Sequence, residues 1–276
     1  MLVISISKDK FFCEDRGIQI LTFKSVDNIG NETTNTFQVK IRDTLRPFIR
    51  AIPRDVYLDQ NGIANIDASY FDNGSYDNCG IKDKILSKSN FSCSDIGNAI
   101  IIYEIIDSSG NNQLEVLNFK VYDTISPIIK IPNFERYLDN EGIAKISYND
   151  VIPFISDNCS ILSVELTDSL FTCEKIGLNQ IFCTVIDKSL NRSTIPFFVT
   201  VFDTIKPILN LKNIDVHIDT AGYVDVSPYS LVDSIIENCS IKEINISNSR
   251  FFINDVGYNF VYISVTDISG NKSSDV

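Results

Sequence analysis

Tryptophan is absent from this chain, and histidine and methionine each occur once. A lone histidine, His217, confines any histidine-based chemistry to one place in 276 residues. It aligns with Tyr57 and Tyr137 in the repeat described below, so it reads as a structural position in a strand. Apolar runs of about 18 residues are also missing, so no helical segment would span a membrane. The start, Met1 to Ser7, has neither the basic stretch nor the cleavage site of a signal peptide. A secreted chain would therefore carry its signal elsewhere. Basic residues are outnumbered, 24 against 36 acidic, for a net charge of −12. Phosphate backbones are bound by clustered Lys and Arg, which argues against nucleic acid as a partner. No phosphate-binding Gly-Lys-Ser loop, Gly-x-Ser-x-Gly elbow or metalloprotease helix occurs. Together these absences argue that the chain is not an enzyme.

What is present is a repeat. Asp-Thr recurs at Asp43-Thr44, Asp123-Thr124 and Asp203-Thr204, with Pro47, Pro127 and Pro207 at one offset after each. Gly17, Gly97, Gly177 and Gly257 keep the same period of 80 residues, as do Asp27, Asp107, Asp187 and Asp267. No insertion disturbs the register over the whole chain. Self-similarity of this kind marks tandem structural units. The period predicts complete units at 44–123 and 124–203, the second half of a unit at 1–43, and a unit lacking its last strand at 204–276. The chain thus begins and ends inside units, as a fragment of a longer protein would.

Within each unit apolar residues alternate with period two, the mark of strands with one buried face. Leu21 and Phe23 share parity with Ile101, Tyr103 and Ile105, with Ile181, Cys183 and Val185, and with Val261, Ile263 and Val265. The following strand repeats this with Phe37, Val39 and Ile41, with Leu117, Phe119 and Val121, and with Phe197, Val199 and Val201. Gln38, Lys40, Asn118, Lys120 and Thr200 lie between them, on what should be a wet face. Asp-x-x-Gly-Asn segments such as 27–31 and 107–111 predict tight hairpins between the two strands, with glycine supplying the positive φ. In the third copy Leu190 replaces that glycine. Six or seven short strands per unit predict an all-β chain of tandem immunoglobulin-like β-sandwich repeats, arranged as beads on a string.

Six of the seven cysteines follow the repeat. Cys79 with Cys93, and Cys159 with Cys173, recur at one spacing, too long for a zinc knuckle. Their spacing predicts a disulfide inside each complete unit, contributing about 3 kcal/mol by closing a loop of roughly 15 residues. On that reading Cys13 has lost its partner to truncation. Cys239 has none either, because Ile253 stands where its partner would be. Cys183 falls at a core position and reads as a small buried hydrophobe. Disulfides imply an oxidising, extracellular setting.

Asp77-Asn78-Cys79-Gly80, Phe91-Ser92-Cys93-Ser94-Asp95-Ile96-Gly97, Asp107-Ser108-Ser109-Gly110-Asn111 and Asp123-Thr124-Ile125-Ser126-Pro127 form a string that resembles the HYR (hyalin repeat) family. Its bacterial relatives occur as tandem arrays in very large surface adhesins of gliding bacteria. The resemblance implies an immunoglobulin-like fold, an extracellular location and a role in adhesion to surface glycans or to other cell-surface or matrix proteins. The absence of Trp departs from many family members.

Two further readings concern chemistry. Asp107, Asp123, Asp187 and Asp203 recur near unit ends, and Asp59, Asp139 and Asp219 sit on turns that could approach them. Carboxylates meeting at a junction between sandwiches could hold Ca²⁺, which takes about six to eight oxygens. The simpler reading is that these aspartates cap turns through their own backbone. The alternative to a stalk or multivalent adhesin is a carbohydrate-binding module beside a secreted enzyme. Tyr122 and Phe202, on the outer face of the last strand, would supply its platform, although Arg42 takes their place in the first copy.

Overall fold

The computed structural model describes residues 2–276. Strands make up about 49% of the chain and helix about 9%, the helix in single turns, so the protein is all-β. It divides into two compact units, Met1–Ile125 and Ser126–Val276.

In the first unit a three-stranded antiparallel sheet comprises Val3–Ile6, Gly17–Val26 and Glu32–Ile41. It is followed by a sandwich. One sheet of the sandwich has the order Val56–Tyr57, Asn112–Tyr122, Gly97–Asp107, Ile81–Leu86. Val56–Tyr57 runs parallel to the end of its neighbour, and the other pairings are antiparallel. Facing it, Ile63–Asn65 pairs with Asn90–Ser92, and single bridges join Phe48 to Tyr76 and Ala51 to Asp72. The second unit repeats this plan. Phe134–Tyr137, Arg192–Phe202, Gly177–Asp187 and Ile161–Leu166 form its four-stranded sheet, and Ile143–Lys145 pairs with Leu170–Thr172. A further set of strands follows, with Ile241–Ile246, Ile263–Asp267 and Lys272–Asp275 in one sheet.

The alternation seen in the sequence is what builds the core. Ile101, Tyr103, Ile105, Leu117, Phe119 and Val121 are buried in the first sandwich, where Phe71 and Phe91 pack against Phe119 from the facing side. Ile181, Cys183, Val185, Phe197, Val199 and Val201 occupy the same places in the second. Burying each such side chain stabilises the fold by roughly 1.5–3 kcal/mol. Ile263 and Val265 follow the pattern, while Val261 is only half-buried. Leu21 is buried too, but Phe23 and Phe37 remain exposed. The sheet that carries them has no second sheet over it among the described residues. The outer face is less uniformly wet than the alternation predicts, because Ile18, Ile20, Ile100, Ile102 and Leu178 are exposed on it. These are side chains that suit a pleated surface even where it meets solvent.

The hairpin turns form as expected. Asp27 Oδ1 accepts the Ile29 and Asn31 N–H groups at 2.9 and 2.8 Å, and its Oδ2 accepts the Asn31 amide at 2.8 Å. Gly30 and Gly110 take positive φ, and Leu190 takes φ 71° in their place. One expectation fails. His217 lies outside any strand, whereas Tyr57 and Tyr137 are paired in parallel with the end of the long hairpin. In the third copy that hairpin's return strand is Lys272–Asp275, which pairs only as far as Ile263. Among the described residues, the stretch around His217 is paired with no strand.

Candidate functional site at the repeat junctions

The cysteines do not pair as their spacing predicted. Cys13 bonds to Cys79, and Cys173 to Cys239, each across 66 residues. Cys93 and Cys159 are also disulfide-bonded, and Cys183 is the free, buried thiol. The expected Cys79–Cys93 and Cys159–Cys173 bridges are thus replaced, and neither Cys13 nor Cys239 is orphaned. Sheet geometry gives the reason. Cys79 lies just before Ile81, which is opposite Asp107, at one end of the long strand Gly97–Asp107. Cys93 lies just before Gly97, at the other end. An eleven-residue strand is roughly 35 Å long, and a disulfide needs Cα atoms about 4.4–6.8 Å apart. Each bridge therefore joins the end of one copy of the repeat to the start of the next, across Asp43-Thr44 in one case and Asp203-Thr204 in the other.

Polar groups gather beside each bridge. In the first unit, carboxylate oxygens of Asp43, Asp77 and Asp107 lie within 4.8 Å of one another. Asp107 is fully buried, and its Oδ1 accepts the Ser109 and Asn111 N–H groups at 2.7 and 2.8 Å. Burial works against its charged form, but the hydrogen bonds from Asn111, Ser109 and Gly110 hold the carboxyl below the usual range. Ser109 Oγ donates to Asp43 Oδ2 at 2.9 Å and the Asn111 amide to the Asp43 carbonyl at 3.2 Å, which ties the two copies together. Asp77 Oδ1 accepts the Cys79 N–H at 2.8 Å, while its buried Oδ2 has no hydrogen-bond partner.

The second unit repeats the arrangement with Asp203, Glu237 and Asp267, again within 4.8 Å. Asp203 accepts from Ser269 Oγ at 2.9 Å and from the Asn238 amide at 3.2 Å. That same amide donates to the Asp139 carbonyl at 3.2 Å. The fully buried Asp267 is held by the Asn271 N–H and amide, both at 2.8 Å. Glu237 Oε1 accepts the Cys239 N–H at 3.2 Å, and its buried Oε2 has no partner. Burial pushes the Glu237 carboxyl up, and the charges of Asp267 and Asp203 push it the same way.

Of the aspartates singled out in the sequence, Asp107 and Asp203 belong to these groups. Asp187 is buried and holds its own hairpin turn through Asn191, and Asp123 is buried and accepts the Ile125 N–H at 3.1 Å. Asp59, Asp139 and Asp219 cap their own turns and lie outside the groups. Asp59 accepts from Asn61 and Ile63, Asp139 from Glu141 and Ile143, and Asp219 from Ala221. In the sequence Asp77 stands out only as part of the family-like string, and Glu237 not at all, although acidic-Asn-Cys recurs at 77–79, 157–159 and 237–239. Tyr122 and Phe202 are half-buried and stack on Tyr57 and Tyr137, at centroid distances of 5.6 and 5.4 Å.

No family model matches the chain, and no curated protein does. Solved structures similar to it include cadherin domains 1–4 of protocadherin gamma B7, at 12% identity, covering 99% of this chain and 90% of that one, with a TM-score of 0.30. Domains 22–24 of mouse cadherin-23 are 11% identical, covering 73% and 86%, with a TM-score of 0.30. Overlap this slight adds nothing to the fold read from the sheets themselves.

Proposed function

We propose that the chain is an adhesive repeat region of an extracellular surface protein, working as a stalk or multivalent adhesin. The observation that carries this reading is the pair of disulfides, each joining one copy of the repeat to its successor. Disulfides persist in oxidising surroundings, and a bond between copies serves an array rather than an isolated domain. Weak contacts repeated along such an array add up through effective concentration, without a strong single site. The test is antibody labelling of intact cells of the source organism. Surface staining that external protease removes is expected; staining only after permeabilisation would sink the proposal.

The finer part of the proposal is Ca²⁺ at the junctions, held by Asp43, Asp77 and Asp107 and by Asp203, Glu237 and Asp267. Three carboxylates crowded together repel one another unless a proton or cation intervenes. The donors are all oxygens, as a hard cation requires, and Asp77 Oδ2 and Glu237 Oε2 are buried with nothing to bond. When bound, the ion would supply charge neutralisation and rigidity, and these residues would supply its ligands. Calorimetric titration of the chain with CaCl₂ should show binding that E237Q weakens. A flat titration at millimolar Ca²⁺ would remove calcium from the reading and leave the array.

A further inference from the structure

We propose that the disulfides Cys13–Cys79 and Cys173–Cys239 are tension shunts, which carry a pulling force past most of the folded structure between them. The idea rests on the stalk reading for its use, but the mechanics follow from connectivity alone. Force applied to the two ends of a chain travels along its shortest covalent path. Entering the first unit, that path reaches Cys13 and crosses the sulfur bridge to Cys79. The 66 residues of separation leave the line of force. They include the hairpin Gly17–Val26 and Glu32–Ile41, the Asp43-Thr44 boundary with Pro47, and the strand Val56–Tyr57. In the second unit the path crosses from Cys173 to Cys239. It thereby bypasses the hairpin Gly177–Asp187 and Arg192–Phe202, which buries Ile181, Cys183, Val185, Phe197, Val199 and Val201 in that core, and the Asp203-Thr204 boundary.

The consequence concerns what fails first. In an array without bridges, each boundary hands tension to hydrogen-bonded strands, and each sandwich can be pulled out to its full length. Here the boundary is spanned by a covalent bond at the same place in both units. The hairpin within each bypassed segment and its capped turn stay out of the loaded path, as do Asp43, Asp77, Asp203 and Glu237 of the carboxylate groups. Under load the stretches outside the two bridged segments would extend, and the shielded hairpins would remain folded.

Force spectroscopy on the whole chain, tethered at its termini, tests this. Removing one bridge, with C13S/C79S or with C173S/C239S, should lengthen the fully extended chain by about 220 Å, taking roughly 3.3–3.6 Å per residue over the bypassed segment. Both pairs together should add about 440 Å. Adding a phosphine reductant to the wild-type chain should give at least that gain, which covers the case of a variant that folds poorly. No change in extended length would overturn the proposal. So would finding Cys79 linked to Cys93 in a non-reduced peptide map of the wild-type chain, where peptides joining Cys13 to Cys79 and Cys173 to Cys239 are expected. Surface labelling bears on none of these results, so the shunt and the stalk can fail separately.

Discussion

A Cβ built on Gly142 would fall 2.7 Å from the Asn238 carbonyl oxygen and 2.9 Å from Cys173 Sγ. The turn Asp139–Gly142 of one copy is therefore pressed against the Asn-Cys segment of the next, in van der Waals contact with the bridge itself. Gly142 also has φ +71°, where other residues pay about 1–2 kcal/mol. G142A should destabilise this junction by about 2 kcal/mol or more, with less Cys173–Cys239 bridge formed on refolding. Thermal melts and a non-reduced peptide map read both effects. A variant that melts and oxidises like the wild type would show that the contact is not tight.

Cys183 is fully buried on the core face, and burial raises its thiol above its ordinary value. With the remaining cysteines bonded, the folded chain should give no reaction with a thiol reagent at neutral pH, and the unfolded, unreduced chain one thiol per molecule. Three thiols on unfolding would mean that one of the bridges is missing.

Leu190 has the left-handed conformation that its counterparts leave to glycine, and it is largely exposed, so it gains little from packing. L190G should stabilise the second unit by about 0.5–1 kcal/mol, the relief of αL strain less the extra chain entropy of glycine. Chemical denaturation measures this directly. Destabilisation would show that the leucine side chain makes contacts that outweigh its backbone.

A polar pair inside the first sandwich sets its pH limits. The buried Tyr103 hydroxyl donates to Asp72 Oδ1 at 3.1 Å, and Lys84 Nζ lies 2.5 Å from Asp72 Oδ2. Burial alone would raise the Asp72 carboxyl, but hydrogen bonds from Lys84 and Ser75 prevail and bring it down to about 2. Burial, and then the Asp72 charge, raises Tyr103 to about 12. A depressed carboxylate contributes stability above its unfolded value of 3.8, lost as pH falls towards 2. A raised phenol contributes below its unfolded value of 10, lost as pH rises towards 12. Y103F should remove the alkaline loss and cost about 1–2 kcal/mol at neutral pH. An alkaline limb unchanged in Y103F would place that titration elsewhere.

The strands and their faces were legible because alternation and register are local. Ile101, Tyr103 and Ile105 need only their own neighbours to declare a buried side, and the same holds for Ile181, Cys183 and Val185. The hairpin turns were legible for the same reason, through Asp, Gly and Asn at fixed offsets. The bridges were not, because closeness in sequence was taken for closeness in space. Cys79 and Cys93 are separated by a strand, a turn and a second strand that joins the facing sheet, which carries the chain from one end of the sandwich to the other. Asp77 and Glu237 were missed with them. Their role depends on Asp43 and Asp203, which belong to the preceding copy and come near only when the two copies meet.

Each bridge takes one sulfur from a given copy and the other from its successor, at places fixed within an 80-residue period. A gene that gained or lost a stretch of one such period, in register, would still encode a matching partner at the new seam. Unequal recombination could therefore change the number of copies without leaving a mismatched thiol, so the bridging pattern itself sets no limit on how many copies follow one another.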